Sequence, residues 1–188
     1  PAGLVVNPAS GKDIRRLTGK ASVFDNREKL AIVKRALAGA VSGGLLRLYY
    51  MDDAHGIAHT AIAESALPRS IKVERIPTPK TSSALDTLAA AEAFSRTDCN
   101  VVMTLGGDGT NRAFVKGWRD ANLIPLSTGT NNVFPVLEEA TIAGMALGLM
   151  SQGKRSMSRF IQRRKVIELD LGSETDIALI DAVMTSDQ

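Results

Sequence analysis

The sequence is poor in cysteine, poor in aromatic side chains and nearly balanced in charge, and each shortage removes a class of function. One cysteine, Cys99, in 188 residues cannot form an internal disulfide, so a reducing compartment and a cytoplasmic protein are expected. Cys99 stands beside a strongly apolar run and reads as a small buried side chain, not a nucleophile. Aromatics make up 4% of the chain, too little for a stacking platform on single-stranded nucleic acid. A net charge of +3 is too small to imply nucleic acid as a partner, though it suits a protein that handles phosphates. Long hydrophobic runs are also missing. Residues 142–150 fall well short of a membrane span, and residues 2–6, cut off by Asn7-Pro8, are too short for a signal sequence.

What is present is enough apolar material for a core, at 44% hydrophobic against 23% charged residues. Short apolar runs alternate with longer amphipathic stretches, the pattern of strand–helix repeats. Strands are expected at Leu4–Val6, Leu45–Tyr50, Ile71–Ile76, Asn100–Leu105 and Ile124–Ser127. Between them, a helix capped by Asn26 places Leu30, Val33, Leu37 and Val41 on one face and stops at Gly43-Gly44. A short helix covers Ile57 to Leu67, and Ser83-Ala84-Leu85-Asp86 opens another with Leu85, Leu88, Ala89 and Phe94 inward. Further helices are expected from about Asn111 to Trp118 and up to about Ser151. After Gly153 the basic run Lys154, Arg155, Arg159, Arg163, Arg164 and Lys165 is read as a solvated connector in preference to a phosphate patch. Residues 166–171 and 176–184 then read as a hairpin around Gly172-Ser173. The fold class is therefore α/β: a doubly wound, mostly parallel sheet with helices on both faces over residues 1–153. The beginning of an antiparallel β domain, incomplete with two strands, follows over 154–188.

The chemistry concentrates in Gly106-Gly107-Asp108-Gly109-Thr110, directly after the fourth strand. Gly106, Gly107 and Gly109 let the backbone approach an oligophosphate and aim amides at it, and the next helix adds its positive end. A carboxylate beside phosphates is repelled unless it has a task. Asp108 would hold Mg²⁺ or accept a proton from an attacking hydroxyl. Thr110 would bond a phosphate oxygen or cap the helix. The plainer reading makes the glycines a tight strand-to-helix turn; their place at the end of a buried strand favours phosphate. A dinucleotide fingerprint fails because Arg112 stands where its last glycine belongs, and a Walker loop fails because Asp13 follows Gly11-Lys12.

Residues 106–110 resemble the signature shared by NAD kinases and the diacylglycerol and sphingosine lipid kinases. Asn7-Pro8-Ala9-Ser10-Gly11 resembles the first-strand loop of that superfamily, and residues 129–134 resemble the lipid-kinase loop G-T-[AG]-N-D-[FL]. Arg163-Arg164 followed by residues 178–183 resembles the start of the NAD-kinase second domain, whose strand reads A-L-N-E-V-V. Residues 106–112 and 127–135 are similar to the acetoin-catabolism protein X group of ATP-NAD-kinase-like proteins. The resemblance implies a kinase in which ATP, with Mg²⁺, phosphorylates a hydroxyl of a small molecule, with NAD or a related metabolite as acceptor. It carries Asn7, Ser10, Thr128, Gly129, Thr130, Asn131, Asn132 and Asp181 into the nucleotide or acceptor site, and homo-oligomers occur among such relatives.

Two departures bear on the acceptor. The Asn-Glu pair that holds the NAD ribose is replaced by Ile180-Asp181, and losing a polar partner at a buried hydroxyl costs about 1–3 kcal/mol. The lipid-kinase Asn-Glu pair is replaced by Arg112-Ala113, and the lipid-kinase Asp by Val133. The alternatives are a non-catalytic nucleotide-binding or regulatory protein, a lipid kinase, and a sugar-phosphate kinase that lacks the loop at 128–134. Among lesser features, His55 and His59 share a helix face without a third ligand, Asp52-Asp53 suit helix capping better than ribose binding, and Phe114 and Trp118 suit a core.

Overall fold

The computed structural model describes residues 1–11, 25–128, 132–183 and 185. Five parallel strands, β1 (Ala2–Val6), β2 (Arg47–Met51), β3 (Lys72–Ile76), β4 (Val101–Gly106) and β5 (Leu123–Ser127), form one sheet in the order β3-β2-β1-β4-β5. Alternate residues of β1 explain why helices cover both faces. Ala2, Leu4 and Val6 enter one apolar cluster and Val5 the other, so neither face tolerates water. The outermost strand β3 is largely exposed and carries Lys72, Glu74 and Arg75, charges that blunt an open edge.

On one face lie α1 (Asn26–Ser42), α2 (Ile57–Glu64) and α5 (Ala140–Ser151); on the other lie α3 (Ala84–Phe94) and α4 (Asp108–Gly117). The α1–α5 contact is backbone to backbone. An added Cβ would stand 2.0 Å from the Thr141 carbonyl at Gly39 and 1.9 Å from the Ala36 carbonyl at Gly144. Opposite, the rings of Phe94 and Phe114, both fully buried, sit 6.2 Å apart at a tilt of 54°.

Several local expectations shift. Asp25, not Asn26, caps α1, its carboxylate accepting the Glu28 amide at 2.8 Å. Leu85 is 62% exposed, and the inward position belongs to Asp86, which accepts the Thr81 and Ser82 amides, both at 2.9 Å. The fold needs that turn closed more than it needs one further leucine. The second helix stops at Glu64, short of Leu67, and α4 starts at Asp108 instead of Asn111. After a short 3₁₀ helix (Arg155–Phe160), β6 (Ile167–Asp170) and β7 (Thr175–Ala178) pair antiparallel. The turn between them places Gly172 at φ +82°, a conformation that favours glycine. The second strand is shorter than the expected 176–184, because pairing ends at Ala178.

Candidate functional site

Strand order reverses between β1 and β4, so their carboxyl ends diverge into helices on opposite faces and leave a crevice. Ligands bind at such a switch point in open α/β sheets. Both glycine-loop and first-strand residues arrive there. Asn7 prolongs the sheet, its amide donating to the Leu105 carbonyl at 3.0 Å. Its side chain then spans the crevice: Nδ2 donates to Thr110 Oγ1 at 2.8 Å while Oδ1 accepts the Ala9 amide at 2.9 Å. Ser10 donates its hydroxyl to the Asn7 carbonyl at 2.8 Å and closes the turn.

The glycines divide by purpose. A Cβ on Gly106 would lie 2.4 Å from Thr110 Oγ1, and one on Gly107 would lie 2.8 Å from Asn132 Oδ1. Close packing within the protein accounts for those two. Gly109 differs: it lies in the first turn of α4, exposed, and an added Cβ would meet nothing within 4 Å. Glycine there weakens the helix by about 0.5–1 kcal/mol relative to alanine, and no neighbour requires it. The carbonyl of Gly107 accepts from the Thr110 amide at 3.1 Å, the Asn111 amide at 3.2 Å and Asn111 Nδ2 at 2.9 Å. Thr104 completes this buried bracket, donating its hydroxyl to Asn111 Oδ1 at 2.6 Å. Thr104 and Asn111 are site residues that sequence reasoning missed; a buried strand threonine seven residues before an asparagine was the available signal.

Asp108 faces the loop after β5. Its Oδ1 accepts the amides of Val133 at 3.1 Å and Phe134 at 2.8 Å, and Oδ2 shares the Val133 amide at 3.1 Å. Asn132 joins from the same loop, accepting the Asp108 amide at 3.4 Å and donating Nδ2 to Ser127 Oγ at 2.8 Å. Thr128 is 1% exposed, and its hydroxyl oxygen has no hydrogen-bond partner among the described residues. A buried polar atom left so is costly and is a natural contact for a bound group. The expected site residues Gly129, Thr130 and Asn131 lie outside the described residues.

An open cavity of about 650 Å³, within the range of small-molecule sites, begins at Asp108, Gly109 and Arg112 and ends against the hairpin and residues 179–183. It brings Asp181 and Ile180 to the same space as Asp108. Arg112 is turned aside: its guanidinium donates to the Ile177 carbonyl at 2.6 Å and pairs with the Asp176 carboxylate. Lys116 reaches the same carboxylate at 3.0 Å and Arg119, in the turn after α4, reaches Glu168 at 2.7 Å, so α4 and the turn that follows it clamp the hairpin. The Lys116 hydrogen bond, with help from the Ile177 amide and Arg112, holds Asp176 below its ordinary pKa.

The remaining candidates have structural roles. Asp53 accepts the amides of His55, Ile57 and Ala58 and caps α2, while Asp52 pairs with Lys80 at 3.1 Å. His59 bonds the Tyr50 hydroxyl at 3.0 Å. Phe114 is core and Trp118 packs beside it. The basic residues 154–165 are exposed apart from half-buried Met157 in their midst. Burial pushes the Cys99 thiol up to about 12, so it is inert. Among the described residues no helix is long and apolar enough to cross a membrane.

Residues 3–154 match the family model of the ATP-NAD kinase N-terminal domain. The chain is 34% identical to a protein named acetoin catabolism protein X from Cupriavidus necator, an alignment covering 97% of this chain and 54% of that protein. It thus spans about half the length of that relative. No solved structure matches it.

Proposed function

Because the chain belongs to the ATP-NAD kinase N-terminal domain family, we propose that it supplies the nucleotide-phosphate-binding part of a phosphotransferase acting on a small-molecule hydroxyl. Residues 1–153 would form the nucleotide domain and residues 154–188 the beginning of a second, β-rich one. The observation that carries this reading is Gly109, a helix-weakening residue with empty space where a side chain would go, at the amide-rich end of α4.

The phosphate tail of ATP lies along Gly106-Gly107 and the first turn of α4, with Thr110 and the orphaned Thr128 hydroxyl as side-chain contacts. The family resemblance would assign Gly129, Thr130, Asn131 and Asn132 to the same nucleotide. Asp108, at the start of α4, is the carboxylate that would hold Mg²⁺ beside the phosphates. Bound there, Mg²⁺ would supply charge neutralisation for the transferring group. Asp108 serves as its anchor or as the base. In the second role the acceptor hydroxyl gives its proton to Asp108 as its oxygen bonds the γ-phosphorus, and the bond to the bridging oxygen breaks to release ADP. The acceptor enters the cavity shared with Asp181, where Ile180 offers no hydrogen bond to a ribose. Engagement of the Asp108 carboxylate by the Val133 and Phe134 amides favours a second reading, a nucleotide-binding protein without turnover.

Two substitutions in the full-length protein test this. Gly109→Ala is expected to raise thermal stability slightly, by about 0.5–1 kcal/mol, while weakening ATP binding in calorimetry. Unchanged ATP affinity would remove the main support. Asp108→Asn is expected to leave ATP binding while lowering phosphoryl transfer by about 10²–10⁴-fold. ATP binding with no transfer by the unsubstituted protein, over a panel of hydroxyl acceptors, decides for the second reading.

A further inference from the structure

Lys29 is among the largest fully buried side chains of the described residues, at 0% exposure, and it occupies the inward stripe of α1 with Ile32, Val33, Ala36 and Leu37. A leucine or methionine would fill that stripe without the expense of desolvating an ammonium. The ammonium reaches the turn after β1: Nζ donates to the Pro8 carbonyl at 2.7 Å and the Asn7 carbonyl at 3.1 Å. Those carbonyls belong to the turn whose Asn7 side chain grips Thr110 at 2.8 Å, and Thr110 stands two residues after Asp108.

We propose that Lys29 is a positioning residue: its buried ammonium sets the shape of the Asn7–Gly11 turn and, through Asn7, the placing of the helix start that carries Asp108 and Gly109. The inference rests on the reading of that helix start as a phosphate site. Nothing in the family comparison or in the sequence pattern assigns Lys29 this part. The linkage runs through three groups on three elements, α1, the β1 turn and α4, and each bond in it is 2.7–3.1 Å long. The lysine head, with its three protons, reaches both carbonyls at once.

The test uses Lys29→Met, Lys29→Gln and Asn7→Ala in the full-length protein, read by amide hydrogen exchange and by ATP titration. Lys29→Met is expected to accelerate exchange at Thr110 and Asn111 by about tenfold beyond any change in the β4 core, and to weaken ATP binding roughly ten- to hundredfold. Lys29→Gln, which keeps a donor, recovers part of both and covers the case in which the methionine variant fails to fold. The Lys29→Met and Asn7→Ala losses should not add, because both break one linkage. A merely structural lysine would raise exchange uniformly, add to Asn7→Ala and leave ATP affinity alone; that outcome overturns the proposal. If the unsubstituted protein binds no ATP, the phosphate-site reading falls, while local exchange at Thr110 and Asn111 still decides whether Lys29 positions the helix start.

Discussion

At the residue scale, Cys99 and Tyr49 show how burial converts into a measurable pH dependence. Desolvation raises the thiol from 9.0 to about 12, and desolvation followed by the Asp98 hydrogen bond raises the Tyr49 phenol from 10.0 to about 12. Both groups are neutral when protonated. Above about pH 9 the unfolded chain ionises first, binds fewer protons than the folded one and gains stability relative to it. Folding stability is therefore expected to fall from about pH 9 upward, with Cys99 contributing a slope of up to about 1.4 kcal/mol per pH unit. Denaturant titrations at rising pH check this: Cys99→Ala should flatten the early part of the decline. Equal slopes in the two proteins would mean that the thiol is reached by water. Cys99 was legible as a buried small side chain from its apolar neighbours. Lys29 was not read at all, although its spacing to Ile32 and Val33 places it on the apolar stripe.

At the element scale, the periodicities located every strand and helix of the sheet domain among the described residues, and errors gathered at helix starts. Asn26 gave way to Asp25 as the cap of α1, while Ser83 caps α3 as expected and the miss there is the inward position, which passes from Leu85 to Asp86; one residue of rotation in the local path of the chain decides each. The start of α4 at Asp108 makes Asp108, Gly109 and Thr110 helical residues and, with Gly106 ending β4, shortens the expected five-residue loop to Gly107. The α1–α5 contact gives the sharpest prediction here. Gly144→Ala sets a methyl group against the Ala36 carbonyl at 1.9 Å, so the two helices must part. The expected loss is about 1–3 kcal/mol or more in urea unfolding. Gly109→Ala, the same chemical change in open space, should cost nothing; equal losses at the two positions would refute the close approach of α1 and α5.

At the scale of the whole molecule, the hairpin is joined to the sheet domain through a charged seam on α4. Asp176 takes both Arg112 and Lys116, and its depressed pKa means that the seam holds above the ordinary carboxylate pKa of 3.8 and is lost as pH falls through the lower folded value. Asp176→Asn is expected to raise amide exchange in β6 and β7 at neutral pH while leaving β1 and β4 unchanged, and added salt should do the same in part. Exchange in the hairpin that ignores both changes would show that apolar contacts hold it. The sequence by itself determined the order of elements, the glycine turn after β4 and the change of character after Gly153, because hydrophobic period and turn chemistry act over a few neighbouring residues. Only the tertiary structure decided that Asn7 meets Thr110 across 103 positions, that Lys29 supports their turn and that Asp108 and Asp181 share a cavity. Those meetings follow from the strand order β3-β2-β1-β4-β5, a long-range outcome of packing that no local period encodes.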